Sequence, residues 1–217
     1  MFVIALAKGR MMDKSLELLA NAGIRFSEDV ATSRKLIVDA QDGKHRVVLV
    51  KPTDVPTYVE YGAADAGIAG LDVVLESRAD VVQPLTLDFG RCKLAVAAPK
   101  GVALSALENP TVRVATKYPH ITMEYFNARG IPVEIIYLSG SIELAPLLGL
   151  ADRIVDLVES GRTLKENGLE IVEVIVESSA RLLVNRASYQ TKRAEVLAFI
   201  ESLNRALNKA RSCASSI

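Results

Sequence analysis

The sequence has no tryptophan, two histidines and two cysteines. Cys92 and Cys213 form neither a C-x-x-C pair nor a metal-ligand spacing, a usage typical of proteins in a reducing compartment. His45 and His120 also lack the spacing of a zinc site, so we predict no protein ligand for a metal ion. The composition therefore excludes a disulfide scaffold and a zinc centre.

An excess of charge of one sign and long apolar runs are also missing. Lys plus Arg and Asp plus Glu each total 26, so the net charge is zero and any anion recognition must be local. No stretch approaches the roughly 20 apolar residues of a membrane helix, and the basic residues of MFVIALAKGR follow its apolar run, unlike those of a signal peptide. We expect a soluble, cytoplasmic protein that binds neither nucleic acid nor a membrane.

Strand patterns alternate with helix patterns along most of the chain. The apolar runs FVIALA and RIVDLV each precede a helical segment, and Asp42-Gly43 between two β-rich runs predicts a hairpin. EIVEVIV and ARLLVNR look like antiparallel strands, and the final helix carries an apolar stripe. This alternation predicts an α/β protein with mostly parallel sheets and helices on both faces.

Turns rich in glycine and hydroxyl or basic residues follow several predicted strands. In parallel α/β sheets, ligands bind where the carboxyl ends of strands meet the amino ends of helices. The candidate turns are residues 8–10, 65–70, 116–118, 139–141 and 159–163. Several such turns at one sheet edge predict a site for a heavily phosphorylated ligand.

The turn Ser160-Gly161-Arg162-Thr163 has two interpretations. Thr163-x-x-Glu166 matches a capping box, with Gly161 allowing the chain to turn between two elements. Alternatively, the unpaired N–H groups at the start of the next helix bind an anion. On this segment alone, the capping box is the commoner explanation.

Longer segments of the chain resemble a known family. They are AKGRMMDKSLELLANAGI, KPTDVPTYVEYGAADAGIAGLDVVLE, VATKYPHITMEYF, GSIELAPLLGLADRIVDLVESGRTLKENGL and SSARLLVN. Their order and spacing are similar to those of the short-form ATP phosphoribosyltransferases, which begin histidine biosynthesis. The resemblance implies a two-lobed fold like that of type II periplasmic binding proteins. It places domain I at residues 1–88 plus 178–217 and domain II at 89–177, and the irregular segment 83–93 is the predicted crossover.

The resemblance also implies an activity and partners. Adenine N1 of ATP would attack C1 of phosphoribosyl pyrophosphate (PRPP) and expel pyrophosphate, with Mg²⁺ held mainly by the phosphates of the substrates. We expect a homodimer and a hetero-oligomer with a regulatory subunit that is a paralogue of histidyl-tRNA synthetase. The resemblance further favours the anion-binding interpretation of the turn at 160–163.

Site residues follow from the same resemblance. Asp156 would hold the ribose hydroxyls, and Ser160, Gly161, Arg162 and Thr163 would surround the 5'-phosphate. The catalytic cations would be Arg34, Arg10 and Lys8, and the other expected substrate contacts are Lys51, Glu143, Asp65, Gly67 and Gly70. Structural alternatives stay open as well. They are a solvated surface charge for the cations, a partly buried carboxylate at a strand end for Asp156, helix capping for Glu143, and a tight turn for the glycines.

The chain departs from the family pattern at three places. Leu71 stands where many relatives have lysine, Ser160 replaces a common threonine, and Asp156 is a single acid where other phosphoribosyltransferases have a pair. Two other functions stay open at this point: an anion-binding receptor or sensor domain of the same fold, and transfer of phosphoribose to a different base.

Overall fold

The structure, a computed structural model, describes the backbone of residues 1–101 and 111–214. Its strands are β1 Phe2–Ala7, β2 Ile37–Asp39, β3 His45–Val50, β4 Ala66–Gly70, β5 Val82–Thr86, β6 Cys92–Pro99, β7 Val112–Thr116, β8 Val133–Tyr137, β9 Arg153–Val158, β10 Leu169–Ser178 and β11 Ala180–Val184. Its helices are α1 Met12–Asn21, α2 Val55–Glu60, α3 Leu71–Ser77, α4 Pro119–Asn127, α5 Leu144–Leu147, α6 Arg162–Glu166, α7 Arg186–Thr191 and α8 Arg193–Ala214. The chain divides into two compact units, Met1–Gly90 with Ser179–Ile217 and Arg91–Ser178.

The first unit is built on a sheet whose described strands have the order β2-β3-β1-β4-β11-β5. Strands β3, β1, β4 and β5 run in one direction, and β2 and β11 run in the opposite one. Successive side chains of a strand point to opposite faces. Ile4 and Leu6 therefore pack with α1 and α8 on one face, whereas Ala5 and Ala7 pack with α2 and α3 on the other.

The second unit has a sheet whose described strands have the order β10-β6-β9-β7-β8. Strands β9, β7, β8 and β10 run in one direction, and β6 runs in the opposite one. Ile154 packs with α5 and α6 on one face, and Val155 packs with α4 on the other. Both units thus confirm the predicted α/β class, with helices on both faces of each sheet.

Two predictions about strands need correction. EIVEVIV and ARLLVNR do not pair with each other, because β10 pairs with β6 in the second unit and β11 pairs with β4 and β5 in the first. The segment predicted to be irregular from residue 83 begins inside β5. The chain passes between the units at Gly90–Arg91 and returns at Ser178–Ser179.

Two expectations from composition concern membranes and cysteine. Within the described ranges, the structure has no helix that is both long and apolar enough to cross a membrane. Cys92 is a buried free thiol, whereas the side chain of Cys213 lies outside the described residues.

A buried carboxylate connects the two chain segments of the first unit. Asp65 is 4% exposed, and its Oδ2 accepts a hydrogen bond from the Val3 N–H at 2.8 Å. Its Oδ1 accepts from the Ser188 hydroxyl at 2.6 Å and from Lys192 Nζ at 2.8 Å. Burial alone would raise the pKa of Asp65, but these hydrogen bonds, the Lys192 charge among them, hold the pKa below its ordinary value.

Asn185 makes a second connection between the same segments. Its Oδ1 accepts from the Ser188 N–H at 2.8 Å and so caps the amino end of α7. Its Nδ2 donates to the Val59 carbonyl at 2.7 Å and to the Glu60 carbonyl at 3.0 Å, at the carboxyl end of α2. One buried amide thus satisfies backbone groups at the ends of two helices.

Replacing Asn185 by alanine removes the cap of α7 and leaves the two carbonyls of α2 without their donor. We expect the free energy of unfolding to fall by about 2–4 kcal/mol. The measurement is urea denaturation followed by far-ultraviolet circular dichroism, since the chain has no tryptophan. The exposed Asn204 on α8 is the control, and Asn204→Ala should change the value by less than about 0.5 kcal/mol. Equal effects of the two changes would contradict the double role of Asn185.

Lys192→Met tests the charge on Asp65. In the wild type the folded-state pKa is depressed, so the carboxylate stabilises the fold above its unfolded pKa and this stabilisation is lost as pH falls through the folded value. Without Lys192, burial dominates and the pKa of Asp65 rises. We expect the free energy of unfolding of Lys192→Met at pH 7 to be about 1–3 kcal/mol below that of the wild type. Solvent screening of the part-exposed lysine keeps this difference modest.

The deficit of Lys192→Met should shrink as pH falls from 7 to 4, because the neutral acid tolerates burial without a cation. Urea denaturation at pH 7, 5.5 and 4 measures this dependence. Lys44→Met, at an exposed lysine of the β-hairpin turn, is the control and should show no such trend. A deficit for Lys192→Met that stays constant over this range would show that the lysine acts through packing.

Candidate functional site

Three loops of the second unit lie at one edge of its sheet. Strands β9, β7 and β8 are parallel neighbours, with Thr116 opposite both Val155 and Tyr137. The carboxyl ends of parallel neighbours meet at the same edge. The loops that follow these strands, at residues 117–118, 138–143 and 159–163, are therefore adjacent. The loops contain the predicted residues Glu143, Ser160, Gly161, Arg162 and Thr163, and Asp156 lies near the end of β9.

The loop at 160–163 does not form the capping box. Gly161, with φ of +72°, is the N-cap of α6, and no side chain caps this helix. Thr163 is therefore the second residue of α6 and cannot cap it. The capping-box interpretation is wrong because the left-handed glycine starts the helix two residues before the threonine.

One buried residue of α6, Leu164, holds this loop against the core, and the polar side chains of the loop are exposed to solvent. Leu164 is 6% exposed and packs in the core against β9. Arg162 and Thr163 are exposed, and the Ser160 hydroxyl accepts a hydrogen bond from the Arg162 N–H at 3.4 Å. The loop therefore presents backbone amides, hydroxyls and a guanidinium group on a fixed turn, which is a combination suited to a phosphate.

Asp156 lies beside a residue that the sequence analysis did not select. Its side chain is 18% exposed, and its Oδ1 lies 3.1 Å from Lys117 Nζ. The same Oδ1 accepts the Leu157 N–H at 2.8 Å. Lys117 stood in one of the candidate turns after a strand, but only the pairing of β7 with β9 shows that it reaches Asp156.

Glu143 occupies the N-cap position of α5, and its side chain does not cap that helix. Two residues earlier, Ser141 has a left-handed backbone with φ of +51°. Such a conformation costs energy in a residue other than glycine, and strained residues of this kind concentrate at functional sites. The loop before α5 thus has features of a binding loop, and the capping alternative for the Glu143 side chain is not supported.

Four cations gather at one edge of the sheet in the first unit. Lys8 follows β1 and Lys51 follows β3, whose parallel register pairs Ala7 with Val50. Arg34 precedes β2, which is antiparallel to β3, so it begins at the same edge. Arg10 follows Lys8 by two residues, and all four cations are exposed. This edge is a concentration of positive charge in a chain without net charge.

The predicted placement of Asp65 and Gly67 in a turn after a strand is wrong. Asp65 precedes β4 and lies opposite Val3, at the amino edge of the sheet, with both carboxylate oxygens bonded to protein groups. Gly67 is buried inside β4, where a Cβ would come within 2.8 Å of the Val55 and Val59 side chains. Both residues therefore serve packing and connection within the unit.

Gly70 lies at the carboxyl end of β4, level with the cations. It is the N-cap of α3, and a Cβ at this position would collide with the Asp72 carboxylate. The Gly70 backbone is extended, so the close Asp72 side chain and not the geometry of the turn favours glycine at this position. The N–H of the following Leu71 donates to the Ser179 carbonyl at 3.0 Å.

Comparison with known proteins identifies the family of this chain. The family model HisG, ATP phosphoribosyltransferase, matches residues 51–205. The ATP phosphoribosyltransferase of Acidithiobacillus ferrooxidans is 54% identical over 205 residues, which are 92% of this chain and 94% of the relative. ATP phosphoribosyltransferase 2 of Geobacter sulfurreducens is 48% identical over 206 residues, 93% of this chain and 96% of the relative.

Solved structures agree with the fold. The ATP phosphoribosyl transferase (HisG:HisZ) complex from Thermotoga maritima matches with a TM-score of 0.86 and 38% identity, covering 96% of this chain and 100% of that chain. This match confirms the predicted periplasmic-binding-protein-like fold. Tv2483 bound to L-arginine, at 17% identity and a TM-score of 0.58, shares the fold alone. The sequence matches extend over nearly the whole chain, and the chain belongs to the ATP phosphoribosyltransferase family.

Proposed function

We propose that this chain transfers the phosphoribosyl group of PRPP to N1 of ATP, giving N1-(5-phosphoribosyl)-ATP and pyrophosphate in the first step of histidine biosynthesis. The observation that carries the proposal is membership of the family over 92% of the chain, at 54% identity to one relative. The test is incubation of the chain with ATP, PRPP and Mg²⁺ while the ultraviolet absorbance of an N1-substituted adenine is followed. Absence of both this change and pyrophosphate release would refute the activity.

The second unit would hold the sugar of the donor. Ser160, Gly161, Arg162 and Thr163 would bind its 5'-phosphate, which takes no part in the bond changes. Asp156, at the same edge, would accept hydrogen bonds from the ribose hydroxyls. Glu143 is the other carboxylate at this edge and would contact the same ligand. Fixing the sugar by these contacts holds C1 in one orientation for the attacking nitrogen.

The first unit would supply positive charge. When the bond from C1 to pyrophosphate breaks, negative charge gathers on the departing oxygens and positive charge develops on the ribose. Arg34, Arg10, Lys8 and Lys51 share one sheet edge, and their charges would stabilise pyrophosphate and the ATP triphosphate. A guanidinium group can bind two phosphate oxygens at once, so we assign Arg34 and Arg10 the larger part.

Magnesium would enter with the substrates. Among the described residues, no group of three or more His, Cys, Asp or Glu side chains could hold a metal ion. Mg²⁺ retains water and accepts phosphate oxygens readily, so it would be held mainly by PRPP and would neutralise part of the pyrophosphate charge. We place the enzyme in the cytoplasm, in keeping with the free thiol of Cys92 and a cysteine usage typical of a reducing compartment.

We also propose two assemblies. The Thermotoga maritima structure is a HisG:HisZ complex, and by analogy this chain would associate with a regulatory subunit that is a paralogue of histidyl-tRNA synthetase. The catalytic chain would also form a homodimer. Analytical ultracentrifugation of the chain alone, and then with such a subunit, measures both associations.

Arg162→Ala and Thr163→Ala should each raise the KM for PRPP by about tenfold or more, because each removes a contact to a charged phosphate. The turnover number should change little, since this phosphate does not react. Steady-state kinetics with PRPP varied at saturating ATP gives both constants. Glu166→Ala on the same helix is the control and should leave the KM unchanged, because no capping box exists there. A KM that is unchanged in both loop variants would locate the 5'-phosphate elsewhere.

Arg34→Ala should lower the turnover number by about tenfold to a hundredfold if its guanidinium stabilises the departing pyrophosphate. Single-turnover measurement at saturating ATP and PRPP isolates this step from binding. The neighbouring Lys35 pairs with Glu28 at 2.7 Å on the protein surface, and Lys35→Ala is the matched control, with an expected change below twofold. An equal fall in the turnover number of the two variants would show that Arg34 acts only as one of several surface charges.

A further inference from the structure

Lys117 and Asp156 form an ion pair at the sheet edge that carries the phosphate loop. The pair joins the end of β7 to β9, with Lys117 Nζ 3.1 Å from Asp156 Oδ1. The lysine side chain is 36% exposed and the aspartate side chain 18% exposed. The pair is therefore part-exposed, on the strand β9 that leads into residues 160–163, so solvent or a ligand can reach it.

The turn that carries Lys117 is fixed by a buried hydroxyl. Thr116 is 0% exposed, and its Oγ1 donates to the Val155 carbonyl at 2.7 Å and accepts the Tyr118 N–H at 2.9 Å. The Thr116 hydroxyl thus links the Tyr118 backbone, directly after Lys117, to Val155 of β9, the strand of Asp156. The Lys117 ammonium also lies 5.4 Å from the centroid of the Tyr118 ring. The position of this lysine relative to Asp156 is thus set by the fold before any ligand arrives.

Two contacts of Asp156 with described residues fall on the same carboxylate oxygen. Oδ1 receives the Leu157 N–H and lies next to Lys117 Nζ, so Oδ2 is the oxygen that remains for hydroxyl groups of a ligand. Two contacts on Oδ1 fix the rotation of the carboxylate and the direction of Oδ2. The ammonium also offsets the repulsion that this carboxylate would exert on the phosphates of the donor.

We propose that Lys117 is a positioning residue for PRPP: it fixes the orientation of Asp156 toward the ribose hydroxyls and balances its charge beside the phosphates. This inference rests on the proposed function, because it takes PRPP as the ligand of this edge. Lys117 acts through Asp156 and does not itself contact the reacting atoms. Its effect is therefore confined to donor binding and depends on the aspartate.

The experiment compares Lys117→Met, Lys117→Arg, Asp156→Asn and the double variant Lys117→Met/Asp156→Asn with the wild type. Lys165→Met, at an exposed lysine of α6 in the same unit, is the charge-matched control. Isothermal titration with PRPP and Mg²⁺ gives the dissociation constant without ATP. Steady-state kinetics gives the KM for each substrate and the turnover number, and thermal denaturation reports whether each variant is folded.

We expect Lys117→Met to weaken PRPP binding and raise its KM by about tenfold, with the KM for ATP and the turnover number within about twofold of wild type. Lys117→Arg should restore binding to within about threefold, and Lys165→Met should match wild type. In the Asp156→Asn background, the same Lys117→Met change should weaken PRPP binding by less than about twofold. Such non-additivity is the signature of two residues acting as one unit.

Three results would overturn the inference. The first is an unchanged PRPP affinity in Lys117→Met. The second is an equal loss of PRPP affinity when Lys117→Met is introduced into the wild type and into Asp156→Asn. The third is a rise in the KM for ATP that parallels the rise in the KM for PRPP. The wild-type titration separates this inference from the proposed function. If the wild type binds PRPP and Lys117→Met binds it equally well, only the role of Lys117 is refuted. If the wild type binds no PRPP, both the function and the inference are refuted.

Discussion

Parallel pairing of strands is the constraint on which the candidate site depends. Two parallel neighbours must end at the same sheet edge, so each loop that follows a strand is delivered beside the loop of its neighbour. In the second unit this rule assembles the loops after β7, β8 and β9. In the first unit it sets Lys8 beside Lys51, and the antiparallel start of β2 adds Arg34. Residues distant in sequence thereby share one edge of a sheet.

Local pattern predicted the elements well because each element is short and bounded by its own signals. The runs FVIALA and RIVDLV form β1 and β9 without a residue of difference, because the local sequence itself contains the apolar runs and the turns that flank them. The incorrect predictions concern which strands pair with each other and which side chains meet. EIVEVIV and ARLLVNR are both strands, but which strand each pairs with is decided by the sheet in which it finds a free edge. Lys117 was passed over for the same reason, because its contact with Asp156 arises from the pairing of β7 with β9.

The predictions for Asp65 and Gly67 were wrong for a different physical reason. The D-x-G-x-x-G segment has the composition of a ligand-binding turn, but Asp65 meets a lysine, a hydroxyl and a backbone amide before it could meet a ligand. Gly67 is required because α2 packs directly on β4, with Val55 and Val59 where a Cβ would stand. Gly67 therefore allows close packing, and Asp65 forms buried hydrogen bonds. The sequence pattern alone does not distinguish these structural roles from ligand binding. At Gly161 the structure favours the functional interpretation, because its left-handed backbone removes the capping explanation for Thr163.

The discontinuity of the first unit has a consequence for biosynthesis of the chain. Strand β11 lies between β4 and β5 in the sheet, yet it is translated after the whole of the second unit. Until it emerges from the ribosome, β4 and β5 have no common neighbour, and the apolar face that α8 will cover is open to water. The contiguous second unit has all of its strands at that moment. Nascent chains should therefore acquire order from the middle outward, with an early period in which the amino-terminal segment needs protection from aggregation.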